Sequence, residues 1–175
     1  MTWNLPISKV LVPTKFQTFV TLPHETHLPL APHPGAFGVK RKHHTHEGVD
    51  LYCAEGTDVH AVEDGKIVAI LHFTGEQAIP PSPWWRDTMA MLVEGESGVV
   101  VYGEMAPRLG KLVGDKVRRG DVIGNVMQVL SHYKGFPVSM LHLELHVNGT
   151  RDAYDWVNEK PVSLLDPTPF LMEAR

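Results

Sequence analysis

Eleven of the 175 residues are histidine, the side chain most used for metal ligation and for proton transfer near neutral pH. Three of them fall with two carboxylates in the run His43-His44-Thr45-His46-Glu47-Gly48-Val49-Asp50. Imidazoles and carboxylates this dense point to a metal site. The pair His46-Glu47 opens a helical H-E-x-x-H zinc motif, but its last position is Asp50, and Gly48, Val49 and Leu51-Tyr52 favour extended backbone over helix. Extended geometry puts His46 at the mouth of a strand and Asp50 further along it, with a third ligand arriving from elsewhere. Met140-Leu141-His142-Leu143-Glu144-Leu145-His146 supplies one. On a strand, His142, Glu144 and His146 share one face while the three leucines point to the core.

The elements that must position these groups read as mainly β. Fourteen prolines and fifteen glycines interrupt the chain, and no window sustains helical apolar spacing. Alternating or β-branched runs predict antiparallel strands over 59–62, 66–73, 88–93, 98–103, 121–130 and 141–147. Two segments resemble each other, Gly56 to Val68 and Gly114 to Val126, each a glycine turn, a valine, and a second glycine turn feeding a β-branched strand. They suggest two copies of one β unit facing each other. Residues 1–36 are proline-punctuated and suit an extended arm laid over the sheet, residues 37–150 form the β core, and residues 151–175 are a C-terminal extension whose apolar residues pack back on the body. Within the core, residues 75–87 hold Ile79-Pro80-Pro81-Ser82-Pro83-Trp84-Trp85 and read as a long loop. Trp84 and Trp85 either wall a binding site or anchor that loop to the sheet.

Composition narrows the function classes. A hydrophobic share of 43%, a charged share of 21% and a net charge of -4 are globular values for one domain spanning residues 1–175, with no basic block to neutralise phosphates. No nucleic-acid partner is expected. No apolar run is long enough to span a bilayer, so no membrane partner is expected either. Met1 to Val20 carries Lys9, Lys15, Pro6 and Pro13 and lacks the apolar centre of a signal peptide, which predicts a cytoplasmic protein. A periplasmic or extracellular location would require signal-independent export or a removed leader. The single cysteine, Cys53, reads as a small core residue, and nothing in the sequence calls for more than a monomer.

Several motifs in order resemble the lysostaphin and LytM-type family of zinc metallopeptidases, which cut peptide cross-links in bacterial cell walls. Phe37-Gly38-Val39-Lys40-Arg41 is similar to its F-G-x-R entry, and His46-Glu47-Gly48-Val49-Asp50 to its H-x-G-[VI]-D segment. Gly56 to Val68 is similar to its G-T-x-V-x-A and G-x-V hairpin, and Gly114 to Gly124 to its G-x-x-V-x-x-G-x-x-I-G turn. The resemblance implies an antiparallel, barrel-like sandwich of two intertwined β repeats, the duplicated hybrid motif. It implies one zinc per chain on His46, Asp50 and His142, and a peptide or peptidoglycan-like substrate. The family's H-x-H reads Met140-Leu141-His142 here and its Y-x-H reads Tyr102-Gly103-Glu104. The expectation is therefore a divergent member lacking both usual catalytic histidines, its activity in question for that reason.

Methionine cannot accept a proton, but a carboxylate beside the metal can, so Glu104 is the candidate general base or, alternatively, a fourth ligand closing the site. Under the first reading the protein is a zinc-dependent peptidase, with His43, His44 or His146 making the oxyanion or leaving-group contact. Under a second it is an inactive pseudopeptidase that binds peptide or peptidoglycan, or regulates. A hydrolase of an unrelated amide or ester, and a structural metal site, complete the set. Glu144 and His146 are candidates for orienting a ligand imidazole. His44, Arg41, Trp84 and Trp85 are candidates for substrate contacts, Arg41 being equally explained by a salt bridge to Glu63 or Asp64. His33, His60, His72 and His132 read as solvated or locally hydrogen-bonded.

Overall fold

The computed structural model describes residues 2–8, 19–22, 27–135 and 137–175. Parts of the N-terminal arm, and most of the stretch weighed above as a leader, lie outside the described residues. Where described, the arm carries a small hairpin of β1 (Phe19–Thr21) and β2 (His27–Pro29).

The body is one antiparallel sheet. Its strands are β3 (Val49–Tyr52), β4 (Asp58–His60), β5 (Gly65–Thr74), β6 (Thr88–Gly95), β7 (Val99–Pro107), β8 (Lys116–Val117), β9 (Val122–Val126), β10 (Met140–His146) and β11 (Leu164–Leu165), followed by helix α1 (Thr168–Glu173). Long β5, β6 and β7 form a meander, and the main path runs β11-β10-β7-β6-β5-β8. The similar segments pair crosswise: β4 with β9, and β5 with β8.

The barrel-like expectation is corrected. The path ends at β11 and β8, which do not pair with each other, and the sheet forks instead of closing. The fork is at β7, whose residues 99–103 pair with β10 and whose residues 105–107 pair with β9. Local alternation marks each strand but carries no information on whether the end strands meet.

Glu104 sits between the two branches. On the other edge of β7, Met89 faces Met105 and Met91 faces Tyr102, so Gly103 and Glu104 bulge opposite the single residue Ala90. Glu104 takes φ +60°, a left-handed conformation uncommon outside glycine, and this turns its side chain away from the ordinary pleat.

Two apolar layers hold the sheet. The larger gathers Leu51, Ile67, Met91, Tyr102, Leu141 and Leu143 among others, and the smaller, Ala69, Ala90, Leu92, Val99 and Val101. The chain ends lock together on the larger layer: Trp3 is buried and stacks on Phe170 of α1 at 4.9 Å, while Arg175 N–H donates to the Trp3 carbonyl.

Candidate metal centre

Strands β3 and β10 pair so that Asp50 lies opposite His142. His46 precedes β3 in a loop that is not helical, so the four-residue spacing to Asp50 works through a turn into a strand. His46 Nε2, Asp50 Oδ1 and His142 Nδ1 form a triangle with sides of 3.1, 3.2 and 2.9 Å. All three residues are buried, and they form the one cluster of potential metal ligands among the described residues.

Their outer atoms are each occupied. His46 Nδ1 donates to the Ala36 carbonyl at 3.0 Å, and His142 Nε2 donates to Glu144 Oε1 at 2.8 Å. A carbonyl or carboxylate oxygen only accepts here, so the ring proton of each neutral imidazole is on its outer nitrogen. Asp50 Oδ2 is taken by the Arg41 guanidinium, which also donates to the Pro34 carbonyl. Two ring lone pairs and a carboxylate oxygen therefore face one point, an arrangement that repels itself unless a cation or proton sits there. The sides of the triangle approach the roughly 3.3 Å edge of a tetrahedron with bonds of about 2.0–2.1 Å. The donor set fits a metal ion.

This geometry corrects the expectation of a divergent member lacking both usual catalytic histidines. His46 and His142 are both retained with Asp50 as an intact His-Asp-His triad, of which neither Glu104 nor Met140 is a member. The doubt about activity drawn from those two positions is withdrawn.

The electrostatics follow from burial and from these partners. Burial alone would raise the Asp50 carboxyl, but in the metal-free chain His46, Arg41 and the hydrogen bond that a doubly protonated His142 donates from Nδ1 hold it well below the usual carboxylate range. Burial lowers His46. Burial also acts to lower His142, and is outweighed by its hydrogen bonds to Asp50 and Glu144, which raise it. Glu144, despite burial, is held at about 2 by hydrogen bonds from His142 and His146. Glu104 goes the other way: burial first and the Asp50 charge second push it up to about 8. Its Oε2 has no hydrogen-bond partner among the described residues.

A cavity of about 330 Å³ opens over this floor, which His46, Glu104, His142 and Glu144 contribute to. That is within the range of ligand pockets. One lip is the loop after β5. It is pinned by Ser82 N–H donating to the Gly75 carbonyl at 2.8 Å and by Gly75 N–H donating to Ser82 Oγ at 2.9 Å. Trp85 is half-buried and packs against the core, whereas Trp84 is 67% exposed at the mouth. His43, His44 and Tyr154 line the same cavity.

His146 lies elsewhere, fully buried beneath Glu144, to which its Nε2 donates at 2.7 Å. The salt bridge weighed for Arg41 is made to Asp50 and not to Glu63 or Asp64, and Arg41 also lines the cavity. Glu63 instead accepts from the Ser97 hydroxyl and main chain, and Asp64 accepts from Arg119 N–H. His33 is buried and its Nδ1 accepts from Gly35 N–H.

Sequence reasoning missed the main-chain contribution of Ala36 and Pro34, which no side chain announces. It also missed Glu47 as a strut. Glu47 is buried and accepts from Trp156 N–H at 2.7 Å, fixing the loop that carries His46; its place inside the histidine cluster was the available signal. Phe73 is a third omission. It packs on His142 at 5.5 Å between ring centroids, in space that Gly103 leaves open: a Cβ there would lie 2.4 Å from the Phe73 ring.

Comparison with known proteins agrees with this construction. Among solved structures the chain is similar to the catalytic domain of lysostaphin, an antimicrobial peptidase from Staphylococcus simulans, at 22% identity over 78% of this chain and 86% of that one, with a TM-score of 0.50. It is similar to cbpa from L. salivarius REN at 20% identity over 97% and 94% of the two chains, with a TM-score of 0.53. LytU gives 20% identity over 90% of both chains and the same TM-score of 0.53. The chain spans 47% of the length of whole lysostaphin. At these identities the likeness is one of fold. No curated protein matches the chain. The model of peptidase family M23 matches residues 44–154, more than half of the sequence and the span that contains all three triad residues. The chain belongs to peptidase family M23.

Proposed function

We propose that the protein is a zinc-dependent hydrolase of peptide bonds, acting on peptides of the kind that cross-link bacterial cell walls, with Glu104 as general base. The observation that carries this reading is the convergence of the His46, Asp50 and His142 acceptor atoms on one point, in a cavity whose floor also holds the unpartnered Glu104 carboxylate oxygen. Two imidazoles and one carboxylate match borderline-soft zinc better than magnesium or calcium, which take all-oxygen shells. Three protein ligands are the usual complement of a catalytic site, one position being left for solvent or substrate. When bound, zinc supplies Lewis-acid polarisation of a carbonyl and lowers the pKa of water.

The chain's own residues do the rest. Glu104 takes a proton from the attacking water at Oε2. Without a metal, burial and the Asp50 charge raise this carboxyl to about 8, which would leave it largely protonated at neutral pH; a cation held by the triad would favour its ionised form and so make it available as a base. Water oxygen joins the carbonyl carbon, the C–N bond breaks, and the proton held on Glu104 passes to the departing amine. Arg41 fixes Asp50 through its second oxygen and Glu144 fixes His142, so neither ligand must reorganise. Trp84 and Tyr154 border the mouth through which an extended peptide enters.

The test is cleavage of purified peptidoglycan fragments, followed by mass spectrometry, for the native protein and for Glu104→Gln. The native protein is expected to release fragments with new amino and carboxyl ends. The variant should lose at least about 100-fold in kcat/KM with its zinc content unchanged. Loss of zinc in the variant would make Glu104 a ligand, and a zinc-loaded native protein that binds fragments without cutting them would be a binding module.

A further inference from the structure

His146 is buried, titratable and unused by the chemistry above, and its surroundings are specific. Glu144 divides its two oxygens between two imidazoles. His142 Nε2 donates to Oε1 at 2.8 Å and His146 Nε2 donates to Oε2 at 2.7 Å. Behind His146, the Ser163 hydroxyl lies 3.0 Å from Nδ1 and donates to it in the neutral ring. Four side chains therefore line up from the C-terminal segment to the triad, each hydrogen bond fixing the rotamer or tautomer of the next.

The sheet holds this line in place. His142, Glu144 and His146 share one face of β10, while Leu141, Leu143 and Leu145 are buried on the other. The β10–β11 pairing sets His146 opposite Leu164, one residue beyond Ser163, and Val147 N–H donates to the Ser163 carbonyl at 2.8 Å. Ser163 lies outside residues 44–154, the part of the chain that the family model matches.

We propose that His146 and Ser163 are positioning residues for the metal centre: acting through Glu144, they hold His142 with its Nδ1 lone pair aimed at the triad, and so set the affinity for the metal. Without His146, one Glu144 oxygen is left buried and unpaired, and the carboxylate is free to turn away from His142. Partners of this kind typically tune metal affinity by about 10- to 100-fold. The inference rests on the reading that the triad holds zinc.

The experiment measures zinc affinity of the full chain by competition with a chromogenic chelator, which needs no substrate. His146→Leu is expected to weaken binding by about 10- to 100-fold. His146→Gln, whose amide N–H can reach Glu144 from the same position, is expected to recover most of that loss. A merely structural role for the buried ring would not discriminate between these two. Placed on a Glu144→Gln background, His146→Leu should add little, since its route to the metal is already cut. Ser163→Ala, half-exposed and tolerant, should weaken binding a few-fold and keeps the test open where the leucine variant does not fold. Native-like zinc affinity in His146→Leu and Ser163→Ala, or equal losses for leucine and glutamine, would overturn the positioning role while leaving the zinc site standing. A native protein that takes up no zinc would overturn that site and this inference together.

Discussion

The two imidazoles of the centre are held in opposite ways. His46 comes from a loop, and its outer nitrogen donates to a main-chain carbonyl, Ala36. His142 comes from a strand, and its outer nitrogen donates to a carboxylate that is itself held by further side chains. A main-chain acceptor is present whatever residue stands at position 36, so that clamp depends on the path of the backbone and not on its side chain. A side-chain clamp can be strengthened, loosened or lost by single substitutions. The His46 side of the centre is thus fixed by fold, and the His142 side is adjustable.

The variant that strikes both sides at once has the largest expected effect. Gly48 lies between His46 and Asp50, and a Cβ there would sit 2.5 Å from the Leu143 carbonyl oxygen and 2.9 Å from His142 Nε2. Neither neighbour can yield without moving the pairing of β3 with β10. Gly48→Ala is expected to cost about 1–3 kcal/mol of stability, read by chemical denaturation, and to weaken zinc binding more than any change confined to one clamp. A native-like denaturation midpoint and zinc affinity would show that the two strands have slack the geometry does not suggest. Next in size is His146→Leu on the adjustable side, with its expected loss of about 10- to 100-fold in zinc affinity.

The smallest effect belongs to the fixed side. Ala36→Gly keeps the carbonyl that receives His46 Nδ1–H, and zinc affinity should stay within about threefold of native, because only some backbone freedom is added. Should Ala36→Gly weaken binding as much as His146→Leu, the contrast between main-chain and side-chain clamps fails.

The same contrast explains what could be read from the sequence. Alternation over 140–146 places His142, Glu144 and His146 on one face, and the crowding of His46 and Asp50 beside a β-prone stretch indicates a second ligand strand; both rest on local periodicity. The pairing of Arg41 with Asp50 does not, since it depends on how residues 34–41 turn back over β3. The left-handed conformation of Glu104 has no local signature either: glutamate is an ordinary strand residue, and it is the switch of β7 from β10 to β9 that imposes the bulge. Whether the sheet closes is likewise a property of its end strands and not of any one of them. Ser163 reaches the centre only because β11 returns alongside β10. Reading Met140 and Glu104 as losses gave those two positions more weight than the retained ligands; the folded triad reverses that weighting.

Zinc stoichiometry, measured by elemental analysis on the native protein and on Asp50→Ala after equal exposure to zinc, reads the centre most directly. About one zinc per chain in the native protein and essentially none in the variant is the expected result, since two imidazoles without the carboxylate form an incomplete site. No zinc in the native protein, or the same content in both, would contradict a metal centre built on His46, Asp50 and His142.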